Sequence, residues 1–126
     1  MITPLDPTDE ATVDWAYRLK AACEPDEPAE GVARFGSVLR HLPAGDRLWT
    51  WRAGGGGFAL LRLDEGSAAG VVRLYVDPAR RHRGVGRALW AALLDQARSV
   101  GCRTVRGRYA DDDAAISAPP SVPSKG

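Results

Sequence analysis

The stretch RRHRGVGRAL, residues 80–89, decides how this chain is interpreted. It follows an apolar run, AGVVRLYV at 69–76, that is typical of a central β-strand. It leads into a stripe of apolar residues at helical spacing. A strand, a loop with two glycines and a helix together favour anion binding, because the first N–H groups of a helix have no partner within it and the helix dipole adds positive charge there.

The arginines of this stretch support anion binding but leave two other interpretations open. Arginine side chains give charge-assisted hydrogen bonds to a phosphate, which fits a small anionic ligand. The same side chains are also compatible with a basic surface for nucleic acid, or with a solvated helix start that binds nothing.

Composition argues against two of the possible roles, a general nucleic-acid binder and a membrane protein. The chain has 126 residues and a formal net charge of +1, which predicts one globular domain. Positive charge is concentrated between residues 80 and 108, so the chain as a whole has no electrostatic pull toward nucleic acid or membrane. No apolar run approaches the length of a membrane span. Cys23 and Cys102 lie far apart and outside any Cys/His cluster, which predicts two buried thiols in a reducing cytoplasm and no metal site.

Hydrophobic periodicity predicts the element order β-α-α-β-β-β-α-β, an α/β fold with a mixed sheet. Two helices are expected before residue 43, and a third runs from the glycine loop to Val100, with Gly101 as its stop. GGGG at 54–57 predicts a hairpin turn rather than a ligand loop. A strand, a helix and a strand in series predict a right-handed crossover between parallel neighbours. The strands are expected at 2–5, 47–52, 58–63, 69–76 and 102–109.

The end of the chain differs in composition from the rest. Pro, Ser and Gly dominate APPSVPSKG at 118–126. Such a segment buries too little apolar surface to offset the entropy of ordering it. We therefore expect a folded domain over 1–116 and a disordered tail over 117–126.

Other phosphate-binding loops fit the quoted stretch less well. A Walker loop needs Gly-Lys-Ser/Thr, which the chain lacks, and a dinucleotide fingerprint needs a third glycine where Leu89 stands. The pattern VDP at 76–78 followed by RHRGVG at 81–86 instead resembles the acyl-CoA signature of the GNAT acetyltransferase superfamily. That signature is Arg/Gln-x-x-Gly-x-Gly/Ala after a strand that ends in Val-x-Pro. The predicted element order is also similar to that of the family, from residue 2 to about residue 116.

The resemblance implies an N-acetyltransferase that uses acetyl-CoA as co-substrate and needs no metal. Backbone N–H groups of the glycine loop would hold the CoA pyrophosphate, and the exposed edge of the strand at 69–76 would bind the pantetheine arm like an added strand. The strand at 102–109 would splay away to open a slot for that arm. The Val76 N–H would stabilise the oxyanion. The implied cofactor-binding residues are Leu74, Val76, Arg81, His82, Arg83, Gly84, Val85, Gly86 and Arg87.

The catalytic residues stay unassigned at this stage. The family often protonates the departing thiolate with a Tyr on the next helix, but the chain has no Tyr beyond Tyr109. Tyr75, Glu65 and Asp111 are candidate proton acceptors by location alone, and each also fits a structural or solvated role. The acceptor is expected to be an amine of a small molecule or peptide, and no nucleic acid or membrane partner is expected.

The resemblance stops inside the chain. ADDDAAIS at 110–117 begins the next helix of the family, but APPSVPSKG stands where that helix and two further strands are expected. We therefore expect a C-terminally truncated member with impaired acetyl transfer, whose exposed strand at 102–109 favours a homodimer. Two alternatives stay open. One is a catalytically silent CoA-binding or dimerising fragment, such as the first half of a tandem acetyltransferase. The other, weaker one is a nucleic-acid-binding domain.

Overall fold

The strands of the chain form one mixed sheet. A computed structural model describes residues 2–24, 31–80 and 83–110. Within these residues five strands lie side by side in chain order. Neighbours are antiparallel from the first to the fourth, and the fifth runs parallel to the fourth. The strands are β1 (Ile2–Pro4), β2 (Arg47–Ala53), β3 (Gly57–Leu63), β4 (Ala69–Val76) and β5 (Thr104–Ala110).

The helices cover both faces of this sheet. α1 (Glu10–Cys23) and α2 (Val32–Arg40) lie on one face, and α3 (Val85–Ser99) lies on the other. A 3₁₀ turn, Pro78–Arg80, follows β4 in the segment that precedes α3. The element order predicted from periodicity is therefore confirmed, as is the α/β class. None of the described helices is long and apolar enough to cross a membrane.

β4 is the central strand of the fold because it is buried from both sides. The side chains of Val72, Leu74 and Val76 belong to the cluster beneath α3, whereas Tyr75 belongs to the cluster beneath α1 and α2. All four are fully buried. Successive side chains of a strand point to opposite faces, so a strand covered on both faces needs a nearly continuous apolar run, and AGVVRLYV supplies one.

β5 begins at Thr104, two residues later than predicted, because Cys102 still donates a hydrogen bond to the last turn of α3. The N–H of Cys102 donates to the Ala97 carbonyl at 2.9 Å and that of Gly101 to the Arg98 carbonyl at 3.2 Å. Gly101 has a φ of 82°. This is the Schellman arrangement, which satisfies the last carbonyls of a helix. The stop predicted at Gly101 is thus confirmed.

The two cysteines differ in exposure, which corrects the prediction that both are buried. Cys102 is buried, and burial raises the pKa of its thiol. Cys23 is only half-buried at the end of α1, and both are free thiols. A raised thiol pKa keeps the unreactive protonated form, so Cys102 behaves as a small apolar core residue.

The predicted slot between β4 and β5 is absent over the stretch where these strands pair, which is a correction. The parallel register runs without interruption from Ala69–Thr104 to Tyr75–Ala110. Gly107 is the physical reason, because a Cβ built there would lie 1.7 Å from the Val72 carbonyl oxygen. The missing side chain lets β5 approach β4 closely. The backbone edge at Leu74, which is paired with Tyr109, is therefore not exposed as expected.

Several predictions concern residues beyond these ranges. The helix start at 110–117, apart from Ala110, and the tail at 117–126 lie outside the described residues. β5 is the outermost strand on its side of the described sheet. The homodimer through that strand stays a prediction.

Gly107→Ala tests this close approach of the two strands. The added methyl group meets a backbone carbonyl, which cannot move without breaking the β4–β5 pairing. We expect a loss of about 3 kcal/mol in the free energy of unfolding, measured by urea denaturation. Gly55→Ala is the control, because its Cβ would meet only the flexible end of the Arg80 side chain, at 3.0 Å. Equal stability of the two variants would contradict the described register.

Candidate anion-binding site

The turn after β4 is organised by Asp77. Its N–H donates to the Gly56 carbonyl at 2.8 Å, and its own carbonyl accepts the Arg80 N–H at 2.8 Å. Its side chain accepts the Ala79 N–H at 3.0 Å. Asp and Pro both favour such turns, Asp because its carboxylate bonds the backbone two residues on, and Pro because its φ is fixed. The Val-Asp-Pro pattern therefore turns the chain sharply from the end of β4 toward α3.

α3 begins at a glycine in the left-handed conformation. Gly84, the N-cap residue, has φ 84° and ψ 1°, and its carbonyl accepts the Ala88 N–H at 3.0 Å. Gly84 itself has no side chain that could cap the start of the helix. The N–H groups of Val85 and Gly86, in the first turn, have no acceptor within the helix, and they point out of its N-terminus. Such a terminus favours a negatively charged ligand.

The glycine-rich turn between β2 and β3 packs against the N-terminus of α3. A Cβ at Gly56 would lie 3.2 Å from a methyl carbon of Val85. A Cβ at Gly57 would lie 2.5 Å from the Tyr75 carbonyl oxygen and 3.2 Å from carbon atoms of both Val85 and Leu89. GGGG is a hairpin turn, as predicted. Its glycines also let the start of α3 approach the end of β4, which the pattern alone did not indicate.

Positive charge surrounds the same place. The Arg80 guanidinium lies against Gly55 in the glycine-rich turn. Arg83 and Arg87 are exposed at the start of α3. Arg81 and His82, which the sequence also assigned to this site, lie outside the described residues. The described members of the predicted set are thus brought together at one end of the sheet, where an anion would meet the arginines and helical N–H groups at once.

Val76 is the residue of β4 nearest to this site. The Asp77 N–H points to β3, and backbone groups of alternate residues face alternate neighbours, so those of Val76 face the side of β5. The register with β5 ends one residue earlier, at Tyr75. The Val76 carbonyl accepts the Cys23 thiol at 3.4 Å. The last turn of α1 therefore lies against the same end of β4.

The three candidate proton acceptors have different fates. Burial and the nearby Glu24 carboxylate raise the pKa of Tyr75, so this phenol stays protonated and its hydroxyl donates a hydrogen bond to the Glu24 carboxylate at 3.2 Å. Glu65 lies in the turn between β3 and β4, at the opposite end of the sheet from Val76. Asp111 lies outside the described residues. Neither Tyr75 nor Glu65 is placed to take a proton at the end of β4.

Sequence reasoning missed the residues at the end of α1. Lys20 and Glu24 form an ion pair at 3.3 Å, and their side chains are 16% and 10% exposed. EPDEP at 24–28 was interpreted only as a loop that stops the helix, and no spacing pattern connects Glu24 to Tyr75, 51 residues away. Among the described residues, no three metal-binding side chains come together.

Comparisons with known proteins extend this description. A model described as the acetyltransferase (GNAT) family matches residues 12–118. A solved tandem GNAT protein from the clavulanic acid biosynthesis pathway is 32% identical with a TM-score of 0.73, over 85% of this chain and 35% of that one. An acetyltransferase from Trypanosoma brucei is 25% identical with a TM-score of 0.60, over 86% of this chain and 81% of that one.

A more distant structure has the same fold. An aminoglycoside 6'-N-acetyltransferase complexed with coenzyme A has a TM-score of 0.70 at 19% identity, over 85% of this chain and 60% of that one. No curated protein sequence matches the chain significantly. The chain thus spans 35% of the tandem protein and 60% of the aminoglycoside enzyme.

The left-handed start of α3 is directly testable. A side chain at Gly84 has room, since no atom of the described residues other than its chain neighbours lies within 4 Å of its Cβ position, so the backbone conformation is what opposes it. We expect Gly84→Ala to lower the free energy of unfolding by about 1–2 kcal/mol, and Gly84→Asn to lower it less, because Asn adopts this conformation more readily. Thermal unfolding of both variants measures the difference. An alanine variant as stable as the wild type would contradict the described N-cap.

Proposed function

Because the chain belongs to the acetyltransferase (GNAT) family, we propose that it binds acetyl-CoA at the N-terminus of α3 and transfers the acetyl group to an amine. The observation that carries the proposal is the first turn of α3, which begins at left-handed Gly84 beside the end of β4. The cofactor, the reaction and the acceptor are all parts of the proposal, since the chain spans only part of the first two relatives.

The helix terminus suits the pyrophosphate of CoA. The N–H groups of Val85 and Gly86 have no acceptor within the helix and point outward, and Gly84 lets a ligand approach the backbone at the start of the helix. Arg83 and Arg87 are the described cations at this terminus, and Arg80 adds a third from the turn. Charge-assisted hydrogen bonds from these groups contribute about 1.5–3 kcal/mol each. Several together account for binding where the helix dipole alone does not.

The thioester would lie at the end of β4. We propose the Val76 N–H, which faces the side of β5, as the hydrogen-bond donor to the thioester carbonyl oxygen. In the reaction a neutral amine attacks the carbonyl carbon, and the oxyanion that forms is stabilised by such a donor. The C–S bond then breaks, the nitrogen loses a proton, and CoA leaves as a thiol. The acceptor is proposed to be an amine of a small molecule or peptide.

A catalytically silent CoA-binding domain is the second candidate. The observation that favours it is the pairing of β4 with β5 as far as Tyr75, which would keep the thioester from lying between these strands, whereas the N-terminus of α3 would still bind the phosphates. Binding and transfer must therefore be measured separately. CoA binding without turnover would favour this second candidate.

We expect CoA to stabilise the folded chain. At about 100 times its dissociation constant a ligand adds about 2.7 kcal/mol to the free energy of unfolding. For a domain of this size that corresponds to a rise of about 10 °C in Tm, measured by differential scanning calorimetry. Saturating CoA with no rise in Tm and no heat in isothermal titration would contradict the proposal.

Charge reversal locates the phosphate site. Arg83→Glu places a carboxylate at the mouth of the helix terminus, and we expect CoA binding to weaken at least about tenfold, because a charged hydrogen bond is lost and repulsion is added. Arg103→Glu makes the same change at an exposed residue beyond the other end of α3, and it should bind CoA like the wild type. Equal weakening by both variants would indicate a diffuse charge effect instead of this site.

A further inference from the structure

A groove opens on the face of the sheet that carries α1 and α2. α2 ends at Arg40, and the start of β4 beyond it is left partly uncovered on this face. The groove has a volume of about 320 Å³, which is at the lower end of the range of small-molecule sites, about 300–1,000 Å³. Six of the residues that line it are apolar, namely Val38, Leu39, Leu42, Leu48, Leu60 and Val71.

The apolar lining of this groove includes exposed side chains. Among the described residues three large apolar side chains are exposed, and two of them line the groove, Val38 of α2 at 43% and Val71 of β4 at 37%. Removing apolar surface from water contributes about 25 cal/mol per Å². A concave, mainly apolar surface with a few polar groups is typical of a site for a small molecule. A ligand with an apolar chain would therefore be stabilised here.

The charged groups on the β3 side of the groove satisfy one another. The Arg62 guanidinium donates to the Asp46 carboxylate at 2.9 Å and to the Asp64 carboxylate at 3.0 Å. Asp46 also accepts the Glu65 N–H at 2.9 Å. Two carboxylates thus surround one guanidinium, so this side of the groove has no positive charge to offer a ligand.

The β4 side of the groove carries positive charge without a carboxylate. Arg73 is half-buried in the central strand, and it interacts with the Tyr75 hydroxyl. Arg106 of β5 is exposed and is opposite Val71 in the register of the two strands. Alternate residues of a strand share a face, so both arginines lie on the face of the groove. No ion pair within the described residues includes either of them.

We propose that this groove binds a small carboxylic acid with an apolar chain, the chemistry of a medium-chain fatty acid. The carboxylate would lie between Arg73 and Arg106, because guanidinium groups form charge-assisted hydrogen bonds with such a group. The chain would lie along Val71 toward Val38 and Leu42. A dianionic head group suits the groove less, because the carboxylates on the β3 side would repel it.

This site is separate from the proposed CoA site. The groove lies on the face of α1 and α2, toward the start of β4, whereas the N-terminus of α3 lies on the other face, beside the end of that strand. The inference therefore does not rest on acetyl transfer. Saturating CoA should leave the affinity of the groove for the acid unchanged.

Octanoate is the probe, measured by isothermal titration with the full chain below the concentration at which octanoate forms micelles. We expect one saturable site. Octylamine has the same chain with the opposite charge, and acetate has the same head group without the chain. Neither should bind with comparable affinity, because the groove combines an apolar wall with positive charge.

Two variants locate the site. We expect Arg73→Gln to weaken octanoate binding at least about tenfold, because a charged hydrogen bond is lost. Arg98→Gln is the matched control, since Arg98 is exposed on α3, on the other face of the sheet, and it should bind octanoate like the wild type. Val71→Asp places a carboxylate beside the proposed head group at an exposed position. It should abolish binding while far-UV circular dichroism stays like that of the wild type.

Several outcomes would overturn the proposal. One is a wild-type chain that does not bind octanoate, and another is equal binding of octanoate and octylamine. Full affinity in both Arg73→Gln and Val71→Asp, or displacement of octanoate by CoA, would place the acid elsewhere. Binding that occurs only after Asp111, Asp112 and Asp113 are changed to Asn would assign the groove to the chain's own acidic segment instead.

Discussion

The close approach of α3 to the hairpin between β2 and β3 is the constraint on which the site depends. At Gly57 even one methyl group would meet the Tyr75 carbonyl oxygen at 2.5 Å and carbon atoms of Val85 and Leu89 at 3.2 Å. The backbone of β3, the end of β4 and the first turn of α3 therefore converge on one residue without a side chain. This convergence places the N-terminus of α3 directly beside the end of the central strand.

β4 separates two chemically different environments at that end. On the face of α3 lie the outward N–H groups and arginines, which suit phosphate. On the face of α1 lies a carboxylate bonded to Lys20 and Tyr75. A helix terminus contributes only about 0.3–1 kcal/mol to a nearby charge when exposed. The pyrophosphate binding proposed above would therefore combine this terminus with backbone hydrogen bonds and arginines.

Local patterns predicted the parts of the fold that depend on local physics. Apolar spacing indicated each helix and strand. Gly101 indicated the end of α3, because glycine adopts the left-handed conformation of a helix stop more easily than any other residue. The pairing of β4 with β5 up to Tyr75 was not predicted. It depends on the close approach at Gly107, and a glycine in a strand indicates a bulge or a bend just as readily. The splay expected from the family resemblance was therefore wrong over this stretch.

The candidate site divides in the same way. The start of a helix at Gly84, Val85 and Gly86 was predictable because the motif is contiguous and its physics is local, and the contact of these residues with CoA stays a prediction. The Cys23 contact to Val76 and the Glu24 contact to Tyr75 join residues 53 and 51 positions apart. No periodicity connects such pairs, since only the packing of α1 on the sheet brings them together. The stretch EPDEP at 24–28 correctly predicted that α1 ends before it, but nothing in it predicted that Glu24 contacts Tyr75.

Backbone amide shifts during a CoA titration test the central claim most directly. In ¹⁵N-resolved NMR spectra each amide reports its own environment, so the site of contact is read residue by residue. The account predicts the largest shifts at the amides of residues 83–87 and a further shift at Val76, with the amides of Gly101 and Thr104 at the far end of α3 unmoved. Saturable CoA binding that leaves residues 83–87 unshifted would contradict it.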